Sequence, residues 1–175
     1  MTGTPGIARE CFALREVCAA RRGYTEVVPH NNALCPKGQG AFCKEIIMDI
    51  KEKATKLHQS GFNCAQSVLC ACGDYTGLDE KTALAISAGF GGGIRSGEIC
   101  GAISGAVMAI GISQSGDPGD PEVKAGTAAQ TKQLVNFFRE KYGCVRCLEL
   151  KKAGKSCTEL IENAARMAEE IIGNK

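Results

Sequence analysis

Residues 98–112 read EICGAISGAVMAIGI, and this stretch decides the fold because it joins a helical apolar pattern to side chains of minimal size. The distance between two packed helices depends on the side chains at their contact, so a small-residue face allows another backbone to approach closely. We therefore predict that this segment forms the central helix of a bundle. The small residues are Gly101, Ala102, Ser104, Gly105, Ala106 and Ala109.

The sequence on either side of this segment shows helical periodicity and helix-capping residues. Asn63 with Gln66, and Ser156 with Glu159, form two capping-box patterns. No alternating strand pattern follows residue 48, so we predict an all-α, compact single-domain bundle of about six helices, with a Gly-rich loop at 89–94 before the central helix. The other predicted helices begin at about Asp49, Asn63, Asp79, Glu122 and Ser156, and a short helical piece carries Cys144 and Cys147.

Residues 1–47 differ from the rest, since they mix four cysteines with prolines and glycines without sustained periodicity. Residues 48–175 hold 15 Lys and Arg and 15 Asp and Glu, so the whole formal charge of +2 lies in residues 1–47. We expect residues 48–175 to be the helical domain. We interpret residues 1–47 either as a disordered extension or as upstream translated sequence, with Met48 as the true start.

The composition excludes several classes of protein. The charge is nearly balanced and the isoelectric point is about 8.0, which gives no basic stripe for nucleic acid. No apolar run approaches the roughly 18 residues that a membrane span requires, and the first residues lack the pattern of a signal peptide. We therefore expect a cytoplasmic protein that binds neither nucleic acid nor membrane.

Eleven cysteines in 175 residues are the outstanding feature of the composition. In a reducing cytosol, cysteines are typically metal ligands or redox groups rather than structural disulfides. The alternative for each one is a small buried hydrophobic residue, and we favour that interpretation for Cys70 and Cys72. His30 and His58 are the only histidines and show no pairing with a nucleophile, so we assign no catalytic residue and leave open whether the protein is an enzyme.

Three cysteines fall at predicted helix starts. Cys64 follows the cap Asn63, Cys157 follows the cap Ser156, and Cys100 lies in the first turns of the central helix. Helix N-termini carry a partial positive charge and free N–H groups, both of which favour a thiolate. Because the thiolate binds metals and attacks disulfides, we expect these positions to carry the chemistry.

The sequence Cys144-Val145-Arg146-Cys147 is a Cys-x-x-Cys motif, which leaves a stand-alone dithiol site open. A thioredoxin-like site requires a preceding strand, and none is predicted before this motif. A zinc ribbon requires a second Cys-x-x-Cys motif, and none is present. Leu148 follows Cys147, so covalent haem attachment is not predicted.

The Gly-rich segment 89–97 lacks both a phosphate-loop motif and a dinucleotide fingerprint. It brings backbone close either to another helix or to a sulfur-rich site, where free N–H groups can hydrogen-bond cluster sulfurs. Neighbouring Arg95 either offsets thiolate charge or faces solvent. The candidate cofactor-binding residues are Gly91, Gly92, Gly93 and Gly101.

Five segments together resemble the C-GCAxxG-C-C family of redox-active proteins, in order along residues 48–175. They are GFNCAQSV at 61–68, GFGGGI at 89–94, CGAISGA at 100–106, CLEL at 147–150, and Cys157 at the start of the last helix. The resemblance implies that the four motif cysteines are Cys64, Cys100, Cys147 and Cys157. The cysteine-bearing helices of this family are similar to a split-Soret type cytochrome that carries an iron–sulfur centre, which implies a metal centre here without haem.

The chain departs from the family pattern at two places, which bear on ligand geometry. The spacer between Cys147 and Cys157 is shorter than in many members, and Cys144 stands where we expect serine. Three hypotheses follow: an electron-transfer protein with four thiolates on an iron–sulfur centre, a thiol–disulfide oxidoreductase with reversible pairs that include Cys144–Cys147, and a helical interaction protein with structural zinc or merely buried cysteines. The first two require a redox partner protein that the sequence does not identify, and the small-residue faces are compatible with a homodimer.

Overall fold

The computed structural model describes residues 48–174, and these form eight α-helices and no β-strand. The predicted all-α class is confirmed. There are eight helices in place of about six because the predicted short piece that carries Cys147 counts as a helix, and a short helix at Gly73–Thr76 lies where a turn was predicted. The helices are α1 (Ile50–Gln59), α2 (Cys64–Ala71), α3 (Gly73–Thr76), α4 (Glu80–Ser87), α5 (Gly101–Ile112), α6 (Pro121–Tyr142), α7 (Cys147–Lys152) and α8 (Cys157–Gly173).

The predicted caps at the starts of α2 and α8 are present. The Asn63 side chain accepts hydrogen bonds from the backbone N–H groups of Ala65 and Gln66, and the Gln66 side chain accepts one from the Asn63 N–H. The Ser156 hydroxyl accepts a hydrogen bond from the Glu159 N–H at 3.1 Å. These bonds satisfy N–H groups that have no partner within the helix, so each helix starts at a defined residue.

The prediction that the central helix begins at Glu98 is wrong, because α5 begins at Gly101 and Cys100 is its N-cap residue. The preceding residue, Ile99, forms an isolated antiparallel bridge with Arg146. Such a pairing demands extended backbone, which a helix cannot provide.

The Gly-rich segment consists of a 3₁₀ turn at Ala88–Phe90 followed by a wide turn at Gly93–Gly97. Four consecutive residues, Gly92 to Arg95, have positive φ angles of 64°, 66°, 54° and 58°. This left-handed conformation is sterically unfavourable for Ile94 and Arg95 because they have a Cβ atom, whereas glycine has none. The predicted loop is therefore an ordered left-handed turn.

The core lies around α5, which packs against α2, α6 and α8. Gly105 allows the closest approach, since a Cβ atom there would lie 2.5 Å from the carbonyl oxygen of Ala65 on α2. This contact confirms the predicted small-residue face. On α6, Leu134 and Phe138 are fully buried, whereas Val123 and Phe137 are half-buried.

Cys70 and Cys72 are packing residues of this core, as predicted. Burial raises the pKa of Cys72 from an ordinary value of 9.0 to about 12. Between these two pH values the unfolded chain has released the proton and the folded chain has not, so stability falls as the pH rises.

Cys72→Ala is therefore expected to flatten the loss of stability above pH 9, while lowering stability at neutral pH through the cavity it creates. In this pH range, the Cys72 thiol lowers the free energy of unfolding of the wild type by up to about 1.4 kcal/mol for each unit that the pH rises. Urea denaturation of both proteins between pH 8 and pH 10.5 measures the two slopes. Equal slopes would contradict the prediction.

Two further predictions concern the whole chain. Within residues 48–174, no helix combines the length and the apolarity that crossing a bilayer requires. The prediction of a separate N-terminal segment, including Cys11, Cys18, Cys35 and Cys43, lies outside the described residues.

Candidate cysteine site

Four segments bring the four motif cysteines to one place. Cys64, Cys147 and Cys157 are the first residues of α2, α7 and α8, and Cys100 caps α5. Cys157, Cys100 and Cys147 each raise the pKa of Cys64, and Cys147 and Cys157 raise the pKa of Cys100. Such mutual effects require thiols that lie near one another in a poorly solvated region. Cysteines that are far apart in sequence therefore lie within electrostatic range of one another in the fold.

Three of the four side chains are almost inaccessible to solvent. Cys64, Cys100 and Cys147 are 8 %, 2 % and 5 % exposed, while Cys157 is half-buried. The cluster is therefore more open to solvent at the start of α8 than elsewhere.

Burial dominates the protonation of Cys64 and Cys100. It raises the pKa of Cys64 to about 12, and the adjacent Cys157 adds to this effect through charge repulsion and a hydrogen bond. It also raises the pKa of Cys100 to about 11, although the N–H groups of Ala102 and Ile103 act in the opposite direction. The expectation that helix starts favour thiolates is wrong for these two residues, because desolvation outweighs the helix N-terminus.

The backbone ties Cys100 directly to Cys147. The Cys100 N–H donates to the Val145 carbonyl at 2.9 Å, and the Cys147 N–H donates to the Glu98 carbonyl at 2.6 Å. On the outside, the Arg146 guanidinium binds both carboxylate oxygens of Glu98, at 3.0 and 2.7 Å. This small antiparallel unit fixes two of the four sulfur-bearing residues relative to each other.

Three of the four candidate glycines pack against the site or its support. A Cβ atom on Gly93 would lie 2.8 Å from the Cys147 Cβ, and one on Gly101 would lie 3.4 Å from the Cys64 Cβ. A Cβ atom on Gly91 would lie 2.7 Å from the Cβ of the α2 cap, Asn63. Gly92 differs, since it is exposed and a Cβ there would meet nothing within 4 Å.

The chemistry of the donor set can be compared with the groups that it could hold. The seven cysteines of residues 48–174 are all free. In the same residues, no three His, Cys, Asp or Glu side chains are arranged so that they could hold a metal ion. Four thiolates about 2.3 Å from one zinc ion need a tight arrangement, whereas a four-cysteine iron–sulfur cluster distributes its thiolates over several irons. Four cysteines are the ligand set that iron–sulfur centres use, but the side chains of the described residues are not arranged to hold a metal ion.

Other residues singled out in the sequence lie outside this cluster of thiols. Arg95 is exposed, in agreement with the solvent-facing alternative. The His58 Nδ1 atom is 2.9 Å from the Phe62 carbonyl oxygen, which places it at the end of α1. Cys144 is a half-buried free thiol just before the backbone unit that holds Cys100.

Sequence reasoning missed Tyr142, the last residue of α6. Its hydroxyl oxygen is buried and has no hydrogen-bond partner among the described residues. Burial is the main cause that raises the pKa of Tyr142, and the charge of the Glu159 carboxylate acts in the same direction. The sequence offered no signal for this, because a tyrosine that ends an amphipathic helix is typical of ordinary packing.

The fold and the site together define an all-α protein with a largely buried four-cysteine cluster. A family model described as "Putative redox-active protein (C_GCAxxG_C_C)" matches residues 62–171, which is more than half of the chain and includes all four motif cysteines. The protein therefore belongs to the C_GCAxxG_C_C family, and the predicted resemblance is confirmed. No curated protein and no solved structure shows significant similarity to the chain.

Proposed function

We propose that the protein is a small electron carrier in which Cys64, Cys100, Cys147 and Cys157 hold an iron–sulfur centre. The observation that carries the proposal is the convergence of four thiols, three of them buried, from four separate helix starts. Membership of a redox-active family supports the same class of chemistry. We place this chemistry in the reducing cytoplasm, where free thiols persist, with a partner protein that exchanges electrons.

Electrostatics favours a bound cation beside these thiols once they ionise. Ionising Cys64 in its buried place costs roughly 4 kcal/mol more than in water, since its pKa rises from 9.0 to about 12. Four thiolates in one pocket would repel one another still more. A bound cation inverts this balance, because a coordinating thiol is deprotonated outright. The neutral thiols and the cation-bound thiolates are therefore the two stable states of the pocket.

The chain provides orientation and water exclusion. The hydrogen bonds between residues 98–100 and 145–147 hold two ligands rigidly, and the Asn63 and Ser156 caps fix where the other two helices begin. Gly93 and Gly101 keep the walls free of side chains. When bound, an iron–sulfur centre supplies one-electron transfer at a potential set by its surroundings.

The effect of Cys157 on the pKa of Cys64 supports a second candidate, a thiol–disulfide oxidoreductase. The Cys157 thiol is the partner that acts most strongly on Cys64. In this reaction, the two thiols would give two electrons and two protons to a disulfide of another protein and form one S–S bond. The Cys144–Cys147 pair is the other dithiol that this reaction could use.

Anaerobic purification, followed by iron, zinc and sulfide analysis with an absorption spectrum, tests the proposal. We expect iron and sulfide in stoichiometric amounts and a broad visible absorption. Cys100→Ala is expected to lose at least about 90 % of the iron, because the remaining three thiolates leave one iron without its protein ligand. Cys72→Ala is the matched control, since it removes a buried thiol that lies outside the cluster, and it should retain iron.

Three outcomes would oppose the proposal. A colourless, metal-free wild type whose Cys64→Ser and Cys100→Ser variants behave identically would remove the metal centre. Loss of two free thiols under mild oxidation, with a disulfide mapped to Cys64 and Cys157, would favour the second candidate. Stoichiometric zinc without sulfide would favour structural zinc.

A further inference from the structure

Three exposed apolar side chains lie on the backbone unit that carries Cys100 and Cys147. Ile94, Ile99 and Leu148 keep 51 %, 40 % and 47 % of their surfaces exposed. Ile99 directly precedes Cys100 in the chain, and Leu148 directly follows Cys147. Single exposed apolar residues are ordinary, whereas a group of them in one place marks an interaction site.

The left-handed turn and the bridge hold these side chains close together. A Cβ atom on Gly97 would lie 3.1 Å from the Leu148 Cβ, so the turn that carries Ile94 packs against the exposed side of α7. The antiparallel bridge places the side chains of Ile99 and Arg146 on the same face, with Cβ atoms roughly 5 Å apart. We call the surface formed by Ile94, Ile99 and Leu148 the apolar patch.

Basic side chains border the apolar patch. On α7, Lys151 and Lys152 lie three and four residues after Leu148, so all three share the exposed face of this helix. Arg95 follows Ile94 in the turn and is exposed as well. Among the ion pairs of residues 48–174, none includes Arg95, Lys151 or Lys152. These three charges are therefore available to a partner.

The acidic residues of the same surface are balanced by one arginine. Glu98 and Glu149 both form ion pairs with Arg146, at 2.7 and 3.0 Å. Segments 92–99 and 146–156 hold five basic and two acidic residues, which gives a formal charge of +3, although residues 48–175 as a whole are neutral. The positive charge is thus concentrated around the apolar patch, and it favours the approach of a negatively charged surface.

We propose that the apolar patch and its basic border form the docking surface for an acidic protein, the partner that exchanges electrons with the cysteine site. This inference rests on the proposed function, because it names the chemistry of that partner. Interfaces combine an apolar centre with a polar rim, and those of redox partners are among the smallest. A Cβ atom on Gly93 would lie 2.8 Å from the Cys147 Cβ, so the turn lies directly over this cysteine. A partner on the patch therefore comes close to the site without entering the core.

The composition of the surface favours a protein over a phosphate-bearing partner. Nucleic acids are bound through basic grooves and aromatic side chains that stack on bases, and none of the three residues of the patch is aromatic. Anionic membranes attract clusters of about four to eight basic residues next to a membrane span or on an amphipathic helix. Here α7 has only six residues, and Glu98 and Glu149 lie on the same surface.

Photo-cross-linking of the full chain in its native cells tests for the partner. The probe is a leucine analogue with a photo-reactive diazirine, introduced in place of Leu148. We expect one predominant covalent adduct, identified by mass spectrometry as an acidic redox protein. The matched control carries the same analogue in place of Ile86 on α4, which is 46 % exposed, and it should not form this adduct.

Capture alone does not define the surface, so the affinity of the purified partner is then measured by calorimetry at 50 and 300 mM NaCl. The double variant Lys151→Gln/Lys152→Gln should bind about five-fold more weakly at low salt, and the difference should shrink at high salt. The matched control is Lys124→Gln/Lys132→Gln, which removes the same charge from exposed positions of α6 and should bind like the wild type.

Several results would overturn the inference. They are an adduct with a second copy of the chain, with nucleic acid or with phospholipid, no adduct beyond that of the Ile86 control, and equal binding by the two double variants. All of them leave the proposed function standing, because iron and sulfide analysis tests it separately. A protein without iron that still binds the acidic partner through Lys151 and Lys152 would keep the docking surface and remove the iron–sulfur centre.

Discussion

Gly105→Ala is expected to destabilise the protein by about 2 kcal/mol or more, although alanine favours helices more than glycine does. The new Cβ atom would lie 2.5 Å from the Ala65 carbonyl oxygen and 3.1 Å from the Ala65 Cα. Both are backbone atoms of α2, so the clash is relieved only by moving that helix, and added atoms in a packed core cost about 1–3 kcal/mol. Chemical denaturation monitored by circular dichroism measures the loss.

Gly111→Ala is the matched control on the same helix. A Cβ atom at Gly111 meets nothing within 4 Å, so only the intrinsic preference for alanine remains. The control should gain about 0.5–1 kcal/mol. A Gly105→Ala protein as stable as this control would contradict the close packing of α2 against α5.

Gly93→Ala is expected to cost about 3 kcal/mol or more and to abolish iron loading. Alanine at a φ of +66° is strained, and its Cβ would lie 2.6 Å from the Glu98 carbonyl oxygen and 2.8 Å from the Cys147 Cβ. The left-handed strain contributes roughly 1–2 kcal/mol and the backbone clash contributes the rest. The displaced atoms belong to the unit that holds Cys147, so ligand geometry is lost together with stability.

The neighbouring Gly92→Ala separates these two contributions. Its φ of +64° imposes the same strain, but a Cβ there meets nothing within 4 Å. It should therefore cost only about 1–2 kcal/mol and retain iron. The measurements are urea denaturation and iron content of both variants, and equal losses at the two positions would show that crowding at Cys147 is unimportant.

The helices could be predicted from local signals, whereas the set of four motif cysteines came from the family resemblance. The capping patterns at Asn63 and Ser156 predict the starts of α2 and α8, and the glycines and alanines of α5 predict a close contact with another helix. The start of α5 could not be predicted, because the extended backbone at Ile99 depends on hydrogen bonds to residues 145–147, which are distant in sequence.

The protonation of the cysteines was also beyond local reasoning. The position of Cys64 at a helix start is visible in the sequence, but its burial and the nearness of Cys157 come only from the fold. Tyr142 gave no signal for the same reason, since an unsatisfied hydroxyl is a property of the packed structure.

The left-handed turn makes one wall of the site easier to reshape than the others. Ile94 and Arg95 hold φ angles of 54° and 58°, which cost roughly 1–3 kcal/mol each, and Ile94 keeps 51 % of its surface in water. Relaxing this stretch releases energy and uncovers little core. The left-handed turn beside Cys147 is therefore the part of the backbone around the cysteines that costs least to rearrange, while the helices that carry Cys64 and Cys100 are held by core packing.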